Sequence, residues 1–319
     1  MPFKILIVGA CGQIGSELTV ALRNIHGESA VIASDIKAPT SPELSNGPFE
    51  ILDATDYENF KTIVSKHKID TVYMMAAMLS GTAEKFPEKG WDLNMSSLFN
   101  ILNLAKENLV SKVFWPSSIA VFGPSTPKKE TPQQTIMEPT TVYGISKQAG
   151  ERWCAYYHKR YGVDVRSIRY PGLISYKTPP GGGTTDYAIE IFHDALNLSS
   201  YTSFLSKDTA LPMMYMDDAI EATISIMDAP ESSIKIRSSY NLSGVSFTPE
   251  ELYAEIKHHI PEFEITYELD FRQTIADSWP DSIDDTEART DWGWQHKFDL
   301  KVLVKEMLKG VKSLEKVDS

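Results

Sequence analysis

The 319-residue sequence predicts an α/β protein: a doubly wound parallel sheet followed by a smaller C-terminal α/β lobe. Three observations predict it. Apolar, β-branched runs alternate with segments of helical period through about residue 170, the pattern of a parallel sheet covered by helices on both faces. The links between them are short, as consecutive strand–helix units require. After Pro171 and Gly172 the texture changes to shorter, mixed elements, beginning with a Pro- and Gly-rich stretch at 177–185.

The elements follow in order. Residues 3–8 (FKILIV) suit a buried parallel strand. A glycine-punctuated turn leads into a helix over 13–25. Strands follow at 30–35 and 49–52, then a helix at 56–67 with Phe60, Ile63 and Val64 on one face, then a strand at 70–76. The next helix, about 91–109, carries Leu93, Leu98, Ile101, Leu102 and Ala105. A strand at 112–116, a Pro- and Thr-rich loop at 123–140, a helix at 142–161 and a strand at 163–169 complete the larger unit. Beyond it the pattern gives helices near 186–198 and 217–228 and strands near 201–205, 212–216 and 239–242. Thr248, Pro249 and Glu251 read as N-cap, first helical residue and capping-box partner of a helix to His259. A last helix spans about 299–314. The expected division is 1–175 and 176–319, with some exchange of strands and helices between the two.

Composition narrows the function. A formal net charge of −12 argues against a general nucleic-acid or membrane-surface binder, which need the opposite sign. Two cysteines, Cys11 and Cys154, make neither a disulfide scaffold nor a Cys-built zinc site, and no metal site is predicted. No apolar stretch reaches the roughly 18 residues of a spanning helix. Met1–Lys4 runs into the first strand without a cationic leader, so a cytoplasmic location is expected.

Gly9, Gly12 and Gly15 lie between the first strand and the first helix. The spacing suits a tight turn, a close backbone approach to a pyrophosphate and close helix–strand packing. The helix start at Gln13 and Ile14 then offers N–H groups and the positive end of its dipole to the anion. Asp35, at the end of the second strand, can accept from a ribose and repel a 2′-phosphate, favouring NAD; the nearby Lys37 softens that preference. Taken alone, Asp35 would read as a strand-end cap.

Tyr143 and Lys147 stand four apart on one helix, hence on one face. An ammonium beside a phenol lowers its pKa from about 10. A tyrosine so tuned takes a proton from an alcohol near neutral pH. Ser117 and Ser118 lie 26 and 25 residues before Tyr143, at a strand end, where a hydroxyl can hold a substrate oxygen against the phenol.

GACGQIG, SSIAVFG and YGISK together resemble the extended short-chain dehydrogenase/reductase family, of Rossmann-type fold. The resemblance implies that Ser118, Tyr143 and Lys147 are catalytic, with Ser117 a possible substitute for Ser118. It implies that Leu52 and Asp53 approach the adenine, although Asp53 reads equally as a helix N-cap. Ala76 and Ala77 would line the cofactor, Asn94 would act structurally, and Pro171 and Leu173 would cover the nicotinamide.

The segments PGLIS (171–175), GGGTTDYA (181–188) and 277–294 resemble the short-chain L-threonine 3-dehydrogenases along essentially the whole chain. That resemblance implies NAD-dependent oxidation of L-threonine, with Ser80, Ser118, Tyr143, Thr184, Thr185, Asp186 and Trp279 around the substrate. Thr184 and Thr185 read equally as caps of the helix at 186, Asp186 as a first-turn acid, and Trp279 as a core aromatic. Arg289 can pair with a neighbouring acid, and the glycines of 177–187 suggest a loop that closes on substrate. The resemblance further implies a homodimer through helices 91–109 and 142–161. Two other readings remain: a nucleotide-sugar epimerase or dehydratase, and a non-catalytic NAD sensor.

Overall fold

The computed structural model describes residues 3–177 and 183–315. The elements up to residue 174 are β1 (Ile5–Val8), α1 (Gln13–His26), β2 (Val31–Asp35), α2 (Pro42–Ser45), β3 (Phe49–Ile51), α3 (Tyr57–His67), β4 (Thr71–Met74), α4 (Ser80–Lys85), α5 (Pro87–Lys106), β5 (Lys112–Phe114), β6 (Ser117–Ser118), α6 (Val142–Tyr161), β7 (Asp164–Arg166), β8 (Ile168–Tyr170) and β9 (Gly172–Ile174). Then come α7 (Tyr187–Asn197), β10 (Ser200–Ser203), β11 (Leu211–Tyr215), α8 (Met216–Asp228), β12 (Tyr240–Asn241), β13 (Val245–Phe247), α9 (Pro249–His259), β14 (Glu264–Tyr267), α10 (Arg272–Ala276), α11 (Thr286–Trp292) and α12 (Leu300–Glu315). Two compact units share the chain: 1–118, 141–169 and 220–240 form one, and the remainder forms the other.

The first unit holds a six-stranded sheet of order β3-β2-β1-β4-β5-β7, with every pair parallel. This is the doubly wound α/β sheet that the strand–helix alternation predicts. The four β1 residues are all buried, as a parallel strand covered on both faces requires. Phe60, Ile63 and Val64 of α3 and Leu98, Ile101 and Leu102 of α5 join Leu6, Val72, Val113 and Trp115 in one core.

The fifth strand departs from expectation. It ends at Phe114, and Ser117–Ser118 forms a separate short strand in a small sheet of order β12-β8-β6. The strand expected over 163–169 divides likewise, so β7 stays in the large sheet and β8 joins the small one. The serine pair is thereby turned out of the central sheet.

In the second unit β11 lies between β9, parallel, and β13, antiparallel. β10 pairs in parallel with β14, a strand whose weak alternation the sequence does not reveal. The capping box of α9 forms as expected: Thr248 Oγ1 accepts from Glu251 N–H at 3.1 Å, and Glu251 Oε2 accepts from Thr248 N–H at 2.8 Å. Among the described residues no helix is long and apolar enough to cross a membrane.

Candidate active site

The β1–α1 turn is shaped by what cannot fit. Gly9 has φ +87°, and a Cβ there would lie 2.5 Å from the Ala76 nitrogen. A Cβ on Gly15 would lie 2.1 Å from the Gly9 carbonyl oxygen. These two glycines therefore let the loop press against the end of β4 and let α1 press against the loop. Gly12 is the N-cap of α1, and no side chain among the described residues caps that end. Its first turn carries no acidic residue. An uncapped helix start with the positive dipole end exposed fits a pyrophosphate.

Asp35 reaches across this loop. Its Oδ2 accepts from Cys11 N–H at 2.9 Å and its Oδ1 from Ile36 N–H at 2.8 Å. The carboxylate thus fixes the loop while sitting beside it. Partial desolvation, reinforced by the charge and hydrogen bond of Asp35, pushes the Cys11 thiol up. Leu52 N–H donates to the Asp35 carbonyl at 2.9 Å and aligns residues 52–53 with the same edge. Asp53 is not the cap of α3. Asp56 is, accepting from Asn59 N–H at 3.0 Å, while Asp53 Oδ1 accepts from the Thr55 N–H and hydroxyl. Ala76 and Ala77 follow β4, both partly exposed.

α6 begins under Thr141, whose Oγ1 accepts from Gly144 N–H at 3.1 Å. That cap sets Tyr143 in the first turn, and Ser118 hydrogen-bonds its phenol. One turn on, Lys147 Nζ donates to the Pro116 carbonyl at 2.6 Å. It also lies 4.6 Å from the Trp115 ring centroid and 5.4 Å from that of Tyr143.

The electrostatics reverse one expectation. Burial pushes the Tyr143 phenol up to about 12, opposed only by the Ser118 hydrogen bond. Burial also pushes Lys147 down to about 7, against the pull of Cys154 and Glu151. The sequence reading has Lys147 lowering the phenol. In the protein alone, the two groups share one desolvated place that disfavours both charged forms. Lys147 moreover stands over the ring face and spends a hydrogen bond on Pro116.

Ser117 and Ser118 separate cleanly. Ser117 Oγ donates to Glu151 Oε1 at 2.7 Å, inside a buried cluster that Arg169 completes. Ser118 is the serine that meets Tyr143. Asn94 ties the neighbourhood together: its Oδ1 accepts from Met78 N–H at 2.8 Å, and its Nδ2 donates to the Met78 carbonyl and to Ser146 Oγ, both at 3.2 Å. Ser80 is buried at the start of α4. Glu151 and Arg169 escaped the sequence reading. The available signal was a charged residue continuing the 143, 147 row of α6.

In the second unit, a Cβ on Gly172 would lie 2.5 Å from Met213 Sδ and 2.6 Å from Thr185 Cγ2. Pro171 to Leu173 therefore runs tightly beside Thr185. Thr184 is buried, and Asp186 is the N-cap residue of α7, so neither threonine is its cap. Asp186 Oδ2 accepts from Gly183 N–H at 2.7 Å. Gly181 and Gly182, and the 178–182 part of the expected closing loop, lie outside the described residues.

Trp279 is buried, and its carbonyl accepts from Lys128 Nζ at 2.6 Å. Arg289 pairs with Asp285 at 2.6 Å. Asp285 also accepts from Trp294 Nε1 at 2.9 Å, so that end of the 277–294 segment is structural. Among the described residues no group of three or more His, Cys, Asp or Glu is arranged to hold a metal ion.

Residues 5–243 match the model of the NAD dependent epimerase/dehydratase family. An uncharacterized epimerase/dehydratase of Staphylococcus haemolyticus is 51% identical over 314 residues, 98% of each chain. Among solved structures, a GalE-like L-threonine dehydrogenase from Cupriavidus necator is 57% identical with a TM-score of 0.94, covering 97% of this chain and 99% of that one. An L-threonine dehydrogenase from Clostridium difficile is 47% identical with a TM-score of 0.96, covering 98% of each.

Proposed function

The chain belongs to the NAD-dependent epimerase/dehydratase family, and from that premise we propose that it oxidises the 3-hydroxyl of L-threonine to 2-amino-3-oxobutyrate, with NAD as cofactor. The observation that carries the reading is Tyr143 hydrogen-bonded to Ser118, one helical turn from buried Lys147, in a chain so similar to L-threonine dehydrogenases.

Gly9, Gly12, Gln13, Ile14 and Gly15 hold the pyrophosphate through backbone N–H groups and the α1 dipole. Asp35 accepts from the adenosine ribose, Leu52 and Asp53 face the adenine, and Ala76, Ala77, Pro171 and Leu173 flank the rest. When bound, NAD supplies the hydride acceptor and a pyridinium positive charge. Ser118 holds the substrate oxygen. Tyr143 takes the hydroxyl proton in oxidation and returns it in reduction. Lys147 supports the phenolate and binds the nicotinamide ribose. Ser80, Thr184 and Thr185 hold the amino acid carboxylate through hydroxyls and N–H groups, Asp186 pairs with its ammonium, and Trp279 is the apolar wall.

The protein works as a homodimer through α5 and α6. Trp91, Trp153, Tyr156 and Tyr161 leave these helices as exposed aromatics, and Phe99 meets Trp153 edge-on at 4.9 Å. Two free thiols, Cys11 and Cys154, suit a cytoplasmic location.

An NADH-absorbance assay across L-threonine, L-allo-threonine, L-serine, simple hydroxy acids and nucleotide sugars tests the substrate. L-threonine is the expected substrate, unaffected by a chelator. Turnover of nucleotide sugars with none on threonine overturns the reading. Tyr143→Phe is expected to keep NADH binding and lose about 10²–10⁴-fold in kcat. Wild-type turnover in that variant removes Tyr143 from the mechanism.

A further inference from the structure

Half-buried Tyr143 and buried Lys147 continue into another polar residue on the same row of α6, Glu151, which is buried and which the chemistry above does not use. Glu151 is 0% exposed, Ser117 1% and Arg169 2%. Arg169 Nε and Nη2 donate to the two Glu151 oxygens, each at 2.8 Å. Ser117 Oγ donates to Glu151 Oε1 at 2.7 Å.

The row as a whole grips one short segment. Tyr143 bonds Ser118, Lys147 bonds the Pro116 carbonyl, and Glu151 bonds Ser117. Trp115 packs onto the helix itself, since a Cβ on Gly150 would lie 2.3 Å from its ring. Four consecutive residues, 115–118, are thus each engaged by α6.

A buried ion pair is a poor source of stability, because desolvation offsets the Coulomb attraction. Replacing it by apolar residues of similar volume is often neutral or stabilising. Its geometry is another matter: a bidentate guanidinium–carboxylate contact fixes the carboxylate in orientation. Here the fixed carboxylate fixes the Ser117 hydroxyl, next in the chain to Ser118.

We propose that Glu151 and Arg169 are positioning residues that set the register of 116–118 against α6 and so hold the Ser118 hydroxyl on the Tyr143 phenol. The proposal rests on the reading of Tyr143 as the acid–base group and of Ser118 as the residue that holds the substrate oxygen. The Glu151 charge, one turn from Lys147, also favours the ammonium form of that lysine.

The test is the double variant Glu151→Met with Arg169→Met, which removes the buried carboxylate and its guanidinium partner together. Its Tm is expected to equal or exceed wild type, with NADH Kd and threonine KM little changed. Its kcat falls about 100-fold, the effect of a misplacement near 1 Å. The alkaline limb of its kcat profile moves to lower pH. Wild-type kcat in the folded double variant overturns the proposal.

Should the double variant melt early, Ser117→Ala decides. It keeps the ion pair and removes one hydroxyl, with kcat expected to fall about tenfold at unchanged KM; unchanged kcat overturns the proposal. A readout without turnover is the Tyr143 phenol, followed by 13C NMR in tyrosine-labelled protein. It titrates at higher pH in the double variant once the Ser118 bond is lost, and an unchanged titration overturns the proposal. Wild-type protein inert toward L-threonine overturns the substrate reading and leaves this titration to judge the positioning.

Discussion

Gly15→Ala probes the cofactor loop through a single methyl group. The added Cβ would lie 2.1 Å from the Gly9 oxygen, 2.9 Å from the Gly9 carbonyl carbon and 3.0 Å from Ala10 Cα. Ordinary contact starts at 3.4 Å, so helix and loop must part by about 1 Å. Two effects compete. Alanine in a helix gains up to about 1 kcal/mol over glycine. Overpacking costs about 1–3 kcal/mol, and here the obstacle is main chain that cannot rotate away. The clash wins, leaving a net loss of about 2 kcal/mol at the upper end of that range. At about 2–4 °C per kcal/mol, Tm falls by about 4–8 °C. The parted loop also misaims the N–H groups of the α1 start, so NADH Kd is expected to rise at least about tenfold, or 1.4 kcal/mol. Thermal melting and NADH fluorescence titration read the two effects separately. A variant with wild-type NADH affinity would refute the assignment of this turn to the pyrophosphate, and a raised Tm would refute the packing argument.

Two further predictions concern charge. Asp35→Ala frees the Cys11 and Ile36 N–H groups and removes the repulsion of a 2′-phosphate; the preference for NADH over NADPH should narrow about tenfold or more in paired titrations, and an unchanged ratio would remove Asp35 from cofactor choice. Lys147 titrates at about 7 in the folded protein against an ordinary value of 10.5, so the unfolded chain binds more protons between these values and stability rises with pH across that window. Tm of the cofactor-free protein should therefore climb from pH 7 to 9, with Lys147→Met flattening the rise. Identical slopes in the two proteins would contradict the burial of the charged lysine.

The legible part of this protein was its local chemistry. The alternation through residue 170, the caps of α9 and the glycines at 9, 12 and 15 can be read because each rests on periodicity or on a backbone demand near in sequence. The same rules misjudged the 112–118 region. Continuous apolar character hides the break at Trp115–Pro116, where the chain leaves one sheet for another. They also offered Asp53 as a helix N-cap, a place that the hydrogen bond from Asn59 N–H gives to Asp56. Thr184 and Thr185 looked like caps for a similar reason: composition marks a helix start, whereas φ and ψ choose the residue.

What the sequence determined by itself was which groups could do chemistry: a phenol and an ammonium at helical spacing, a serine pair, an acid after the second strand. Tertiary structure decided how they are partnered and which way burial moves their pKa. It buried Ser117 against Glu151 and Arg169 and left Ser118 to the phenol. It also raised Tyr143 where spacing alone predicted a fall, because desolvation depends on everything packed around a group and so cannot be read from the four residues between two side chains.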